Sequence, residues 1–140
     1  MRRIIQKHSA GCGIACIAMI AERSYGRVLA DATSLALMTV EAGTLYTSSS
    51  DLCALLQHYG IAARKSRNVR QRASISDTAI VAINYRPDSN RWHWVVFQRS
   101  NGGEYVLDPN PRVRTERRTD FYRMRLRSFI PVETPQLVGL

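Results

Sequence analysis

Cysteine is scarce in this 140-residue chain and its number is odd, with three thiols at positions 12, 16 and 53. No spacing among them makes a disulfide framework, so the chain is expected to fold without bridges and to suit a reducing compartment. Lysine is nearly missing: Lys7 and Lys65 are the only two among 20 basic residues, which leaves 18 arginines. Long apolar runs are missing too. The longest, Ala10 to Ala21, has 12 residues, well short of the roughly 20 that a transmembrane helix needs.

That run also fails as an address signal. Arg2, Arg3 and Lys7 precede it as in a secretory leader, but Glu22, Arg23 and Arg27 intervene before the small-residue stretch Ala30-Asp31-Ala32, so cleavage is not expected there. Ser9-Ala10-Gly11-Cys12 imitates a lipid-attachment site, yet residues 1–8 ahead of it are mostly polar. The expected location is therefore cytoplasmic, with export by a signal-independent route left open. No repeat, low-complexity block or linker divides the chain, and its length suits one domain, 1–140.

Positive charge is what the chain has in excess, with 20 basic against 11 acidic residues and a net charge of +9. Such a balance suits nucleic acid, anionic surfaces or acidic peptides and says nothing about fold. Arg112, Arg114, Arg117, Arg118, Arg123, Arg125 and Arg127 crowd into one segment with only Phe121 and Tyr122 between them. So little aromatic interleaving argues against a nucleic-acid reader. An acidic partner at Arg112–Arg127 and a solvated face are the two readings.

Residues 12–22, CGIACIAMIAE, are apolar on nearly every side, which predicts a helix buried all round. A second helix is expected over about Val28 to Thr39. A third follows serines 48–50, with Leu52, Leu55, Leu56 and Tyr59 at helical spacing and Gly60 as its stop. From residue 78 the pattern changes to strands: 78–85, 91–99 and 104–108, the last two joined by an Asn101-Gly102-Gly103 turn, and finally 128–133 after a short segment near 120–125. Helices first and antiparallel strands afterwards predict an α+β fold.

Cys12 stands where the buried helix should begin. A helix N-terminus carries partial positive charge and unclaimed N–H groups, which favour thiolate, the reactive form. Gly11 and Gly13 beside it carry no β-carbon and would let a substrate backbone approach. A thiolate nucleophile needs a histidine, and the histidine a third group to orient it. His58 falls near the end of the third helix and reads as a surface residue, while His8 lies in a segment without period. His93 alternates with Trp92 and Trp94, so one face of its strand carries the imidazole and the other two indoles. The hairpin then returns the chain to Asp108 as a near cross-strand neighbour of His93, with Asn110 in reserve.

These residues resemble the papain-like cysteine peptidases, and more narrowly the double-glycine leader peptidases that precede bacteriocin-exporting ABC transporters. The matching pieces are Gln6, then five residues, then Cys12-Gly13-Ile14-Ala15-Cys16-Ile17-Ala18-Met19; His93-Trp94-Val95-Val96; and Val106-Leu107-Asp108-Pro109. The resemblance covers about residues 4 to 132. It implies a papain-like fold, with the nucleophile starting the central helix and the helices packed on a C-terminal antiparallel sheet. It also implies a cysteine peptidase in which Cys12 attacks, His93 and Asp108 complete the triad, and Gln6 completes the oxyanion hole. Gly11, Gly13, Trp92 and Trp94 are the candidate substrate contacts, the partner is a peptide or protein, and no cofactor is expected.

The chain departs from the family in two places. Gly11 stands where an acidic residue usually precedes the cysteine, and no transporter domains follow, so a free-standing member is expected. Related acyl-transfer chemistries (deamidase, transglutaminase-like, amidase effector) would use the same triad. A non-catalytic peptide-binding module is the reading from another class, disfavoured because all four positions are filled. A zinc site of His8, Cys12 and Cys16 has suitable ligand types, but Gly11 and Gly13 make a helix through His8 unfavourable. Cys16 and Cys53 read as core packing.

Overall fold

The polar-to-apolar switch at Cys12 becomes a helix start. In the computed structural model, which describes residues 1–133, helix α1 spans Cys12–Ala21 and buries nine of its ten residues. Gly11 caps it without a side-chain hydrogen bond, and Glu22 ends it in left-handed backbone, its N–H donating to the Ala18 carbonyl. Small residues (Gly13, Ala15, Ala18, Ala21) let neighbours approach closely. Ile14 and Ile17 fill the space between, each burial contributing roughly 2 kcal/mol.

Helix α2 spans Tyr25–Ser34, three residues earlier than expected, because Ser24 accepts a hydrogen bond from the Arg27 N–H and sets its start. It also stops earlier. After Ala36, at φ 54°, the chain turns into a small hairpin of β1 (Thr39–Glu41) and β2 (Thr44–Tyr46), which the sequence pattern did not suggest. Helix α3 spans Ser49–His58 and begins with a reciprocal capping box between Ser48 and Asp51. Its leucines 52, 55 and 56 are buried, and Gly60 leaves the helix at φ 75°.

A five-stranded sheet carries the rest: β3 (Arg67–Asn68), β4 (Thr78–Arg86), β5 (Arg91–Ser100), β6 (Gly103–Leu107) and β7 (Leu126–Pro131), in the order β3-β7-β4-β5-β6 with all neighbours antiparallel. In the β5–β6 turn the positive φ falls on Gly103, at 112°, and not on Asn101 or Gly102. The two-residue turn Asn101-Gly102 joins the strands without a break in register, Ser100 pairing with Gly103. Strand alternation divides two cores. Ile80, Ala82, Trp94, Val96, Leu107 and Ile130 face the helices. Ala79, Val81, Ile83, Val95, Phe97, Val106 and Phe129 face a layer made by Ile75 and Met124, with Val69, Phe121 and Leu126 at its edge. Three helices against an antiparallel sheet make the α+β class expected. Among the described residues, no helix is long and apolar enough to cross a membrane.

Candidate active site

Helix α1 lies against β5, and its first residue meets that strand near its start. The Trp94 N–H faces Cys12 Sγ at 3.5 Å, and Cys12 is only 7% exposed. One residue earlier, His93 lines the same cleft as the thiol. His93 shares its strand face with Val95 and Phe97, and the β5–β6 register, continued one residue past Leu107, brings Asp108 to that face beside Val95. His93 and Asp108 are therefore diagonal neighbours, and Nε2 of the ring lies 2.6 Å from Asp108 Oδ1, leaving Nδ1 for the thiol side.

Asp108, 1% exposed, is satisfied at both oxygens. Oδ1 also accepts from the Asn110 N–H at 2.9 Å, and Oδ2 accepts from Arg118 Nη1 at 2.7 Å. Arg118 turns its other two donors, Nε and Nη2, onto the two oxygens of Asp120, each at 2.9 Å. The Asn110 side chain accepts instead from the Arg112 N–H, so Asp108 and not Asn110 reaches the imidazole. Arg3 fastens the same loop by donating to the carbonyls of Asp108 and Val113.

These contacts set the charge states. Burial pulls His93 toward the neutral ring, but its bonds to Asp108 and Cys12 outweigh that and raise its pKa to about 9. Burial likewise opposes ionisation of Asp108, and there His93, the Asn110 N–H and Arg118 prevail and hold it below the usual carboxylate range. Cys16, one turn inside α1, is fully buried. Burial, and after it the charges of Cys12 and Asp108, push its thiol well up, so it is a core residue. Cys53 is half-buried on α3, and burial raises its thiol as well.

Gln6 lies beside this group through its backbone, its N–H donating to the Pro109 carbonyl at 2.9 Å. Its Nε2 donates to the carbonyls of His8 and Ser9, both at 3.0 Å, and its Oε1 is buried without a partner among the described residues. His8 Nδ1 pairs with the Tyr25 hydroxyl at 2.9 Å, away from any metal geometry. Among the described residues, no three His, Cys, Asp or Glu side chains are grouped to hold a metal ion. His58 is exposed, 3.8 Å from Asp31.

The space beside the two glycines is occupied by the protein itself. A β-carbon on Gly11 would lie 2.0 Å from the Tyr25 hydroxyl, and one on Gly13 2.0 Å from Thr47 Oγ1. Gly13→Ala is therefore expected to cost roughly 1–3 kcal/mol by overpacking. A urea midpoint equal to wild type would refute that packing account.

Cys12, His93 and Trp94 open onto a cleft of about 580 Å³, walled by Thr44, Tyr46 and Thr47 on one side and by Asn84, Arg86, Arg91 and Trp92 on others. Arg91 ties the walls together, pairing with Glu41 and stacking 3.5 Å above the Tyr46 ring. Trp92 is half-buried and meets Trp94 edge to face, while Trp94 is buried and donates from Nε1 to the Thr47 carbonyl.

The sequence model of the peptidase C39 family matches residues 2–124, nearly the whole described chain. The chain belongs to the peptidase C39 family. It is accordingly a cysteine peptidase with the papain-like α+β fold, and no curated protein matches it. Gln6, Cys12, His93 and Asp108 all lie within the matched residues of this C39 peptidase. So do Arg118 and Asp120, which sequence reasoning left in the solvated arginine segment. The Arg-x-Asp spacing was the only available signal, and it is too common to single them out.

Proposed function

We propose that this C39 peptidase hydrolyses a peptide bond with Cys12 as nucleophile, His93 as general acid–base and Asp108 as the carboxylate that orients His93. The observation that carries this reading is the 2.6 Å bond from His93 Nε2 to the buried Asp108 carboxylate, with the Cys12 thiol lining the same cleft as the ring. A histidine that keeps its proton up to about pH 9 is ready to protonate a leaving amine. Cys12 sulfur attacks the carbonyl, His93 gives its proton to the departing nitrogen, and the same ring then takes a proton from the water that attacks the thioester.

The oxyanion falls to the open end of α1. With no side-chain cap on that helix, the Cys12 N–H is unclaimed by a cap and can take the developing charge. Gln6 serves as the second donor by exchanging one of its two carbonyl partners for the oxyanion. Trp92 offers its ring to the acyl half of the substrate, and Trp94 backs it, while Gly11 and Gly13 face Tyr25 and Thr47 and leave the substrate to the cleft walls. The substrate proposed is a bacterial double-glycine leader. Its support is the motif around Cys12, together with a cleft walled by Trp92 and Tyr46. Within 112–127, Arg118 turns inward, while Arg117, Arg123 and Arg127 lie over Tyr105, Tyr122 and Tyr85.

Iodoacetamide labelling with peptide mapping tests the nucleophile. At pH 7 Cys12 should be alkylated at least tenfold faster than Cys53, because Cys12 opens onto the cleft beside the His93 imidazole while burial raises the Cys53 thiol. Cys16 should remain unlabelled while the chain is folded. Equal rates at Cys12 and Cys53 would remove Cys12 from its role.

A further inference from the structure

The Cys12 cleft does not end at His93. A second trough of about 430 Å³ shares His93, Ser9 and Asn110 with it and is otherwise lined by Gln6, Lys7 and Arg112 and their neighbours. Cys12 lines only the first cleft. This division assigns the two halves of a bound peptide, on the reading that Cys12 and His93 catalyse. The acyl half stays with the sulfur that it esterifies. The leaving half must pass the ring that protonates its nitrogen, and so runs into the trough.

No aspartate or glutamate lines that trough. Lys7 and Arg112 are exposed there, and neither joins an ion pair among the described residues. The first cleft adds no competing carboxylate, since its one acid, Asp108, is buried and bound to His93, Asn110 and Arg118. Lys7 is one of only two lysines in the chain. Two cations that line one trough without an ion-pair partner among the described residues select for carboxylate groups and disfavour cationic ones. We infer that the trough is the leaving-side subsite, and that it takes peptides with acidic residues just after the scissile bond, held by Lys7 and Arg112.

Acyl transfer tests this without knowledge of the natural substrate. The p-nitrophenyl ester of an N-blocked glycylglycine transfers its acyl group to Cys12 sulfur and releases p-nitrophenolate. An added amine then attacks the thioester: the C–N bond forms, the C–S bond breaks, and the amine proton passes through His93 to the sulfur. The acceptors are Gly-Glu-Glu-amide, Gly-Gln-Gln-amide, Gly-Lys-Lys-amide and Gly-Gln-Gln with a free carboxylate, the last separating a terminal from a side-chain carboxylate.

The glutamate amide should capture the acyl group about fivefold better than the lysine amide at low salt, with the difference shrinking at about 0.5 M salt. Lys7→Glu combined with Arg112→Glu should reverse the order and leave hydrolysis of the acyl-enzyme by water at the wild-type rate. Equal capture of all the amides overturns the inference while the catalytic reading stands, as does a glutamate preference that survives the charge reversal. A preference for the free terminal carboxylate over Gly-Glu-Glu-amide overturns the side-chain assignment. Absence of a p-nitrophenolate burst at Cys12 overturns the catalytic reading and this subsite together.

Discussion

His93→Ala is expected to lower ester and peptide turnover by about 10³-fold, within the range by which a positioned acid–base accelerates acyl transfer. The side chain is 23% exposed and sits between the thiol and Asp108, so its loss removes the proton carrier and leaves the helix that presents Cys12 untouched. A second measurement separates loss of chemistry from loss of fold. The folded ring holds its proton more tightly than the unfolded ring, with a pKa of about 9 against the ordinary 6.5. A raised value of this kind stabilises fully below pH 6.5, and the stabilisation disappears as pH rises through 9. Wild type should therefore lose stability across that window, by no more than about 3 kcal/mol. His93→Ala should lack that loss, and urea midpoints at pH 6 and pH 9.5 read the difference. If wild type and variant decline in parallel, the ring is not held in the pair described.

Arg118→Met carries the second large effect, and it acts on the fold as much as on the chemistry. The guanidinium is 12% exposed at its side chain and joins two carboxylates, of which Asp108 is the more buried. Removing one member of a buried ionic group leaves the others uncompensated and costs about 3–5 kcal/mol. Asp108 keeps its bonds to His93 and Asn110, so the lower end of that range is expected here. The cost should depend on pH with a definite sign. Asp108 is held below the usual carboxylate range, so its stabilisation is present above the ordinary value near 3.8 and is lost as pH falls through its lowered value. Variant and wild type should thus differ most near neutrality and converge in acid. Turnover separates positioning from bulk destabilisation. Arg118→Lys keeps one point charge but not the fork, and should recover stability more fully than it recovers kcat. Equal recovery of both would mean that Arg118 supports the loop and does not position Asp108.

Much of this arrangement could be read from residue order because short-range rules governed it. The apolar run after Cys12 has no polar face to place in water, so a central helix was its only comfortable fate. The 91–108 hairpin has strand propensity on both arms and glycine at its turn, which fixes the register and with it the meeting of His93 and Asp108. Elements with weak local signals were missed. The β1–β2 hairpin has three exposed residues in β1 and three half-buried ones in β2, too short for a period to emerge. Helix α2 ends earlier than expected because Thr39, expected as its last residue, is β-branched and pairs with Tyr46 in a strand. Arg118 illustrates a harder case. Among seven arginines of one segment, only the two acids it meets in space tell it apart, and one of them lies ten residues away.

The manner in which Arg91 fastens the β1–β2 hairpin bears on how this enzyme opens. Helix α1, buried along nearly its whole length, can come loose only if the domain does, so the sulfur is mounted on what should be its slowest-exchanging element. The opposite wall is fixed at its base, where Thr47 is buried and its carbonyl accepts from Trp94 Nε1. Its outer rim is held by Arg91 through a single exposed ion pair and one stacked ring, contacts whose combined worth is of the order of 1–2 kcal/mol. Thermal energy can release that rim many times before it disturbs the helix. Bulky segments of a protein substrate could then enter sideways, while the distance between sulfur and imidazole stays set by the core.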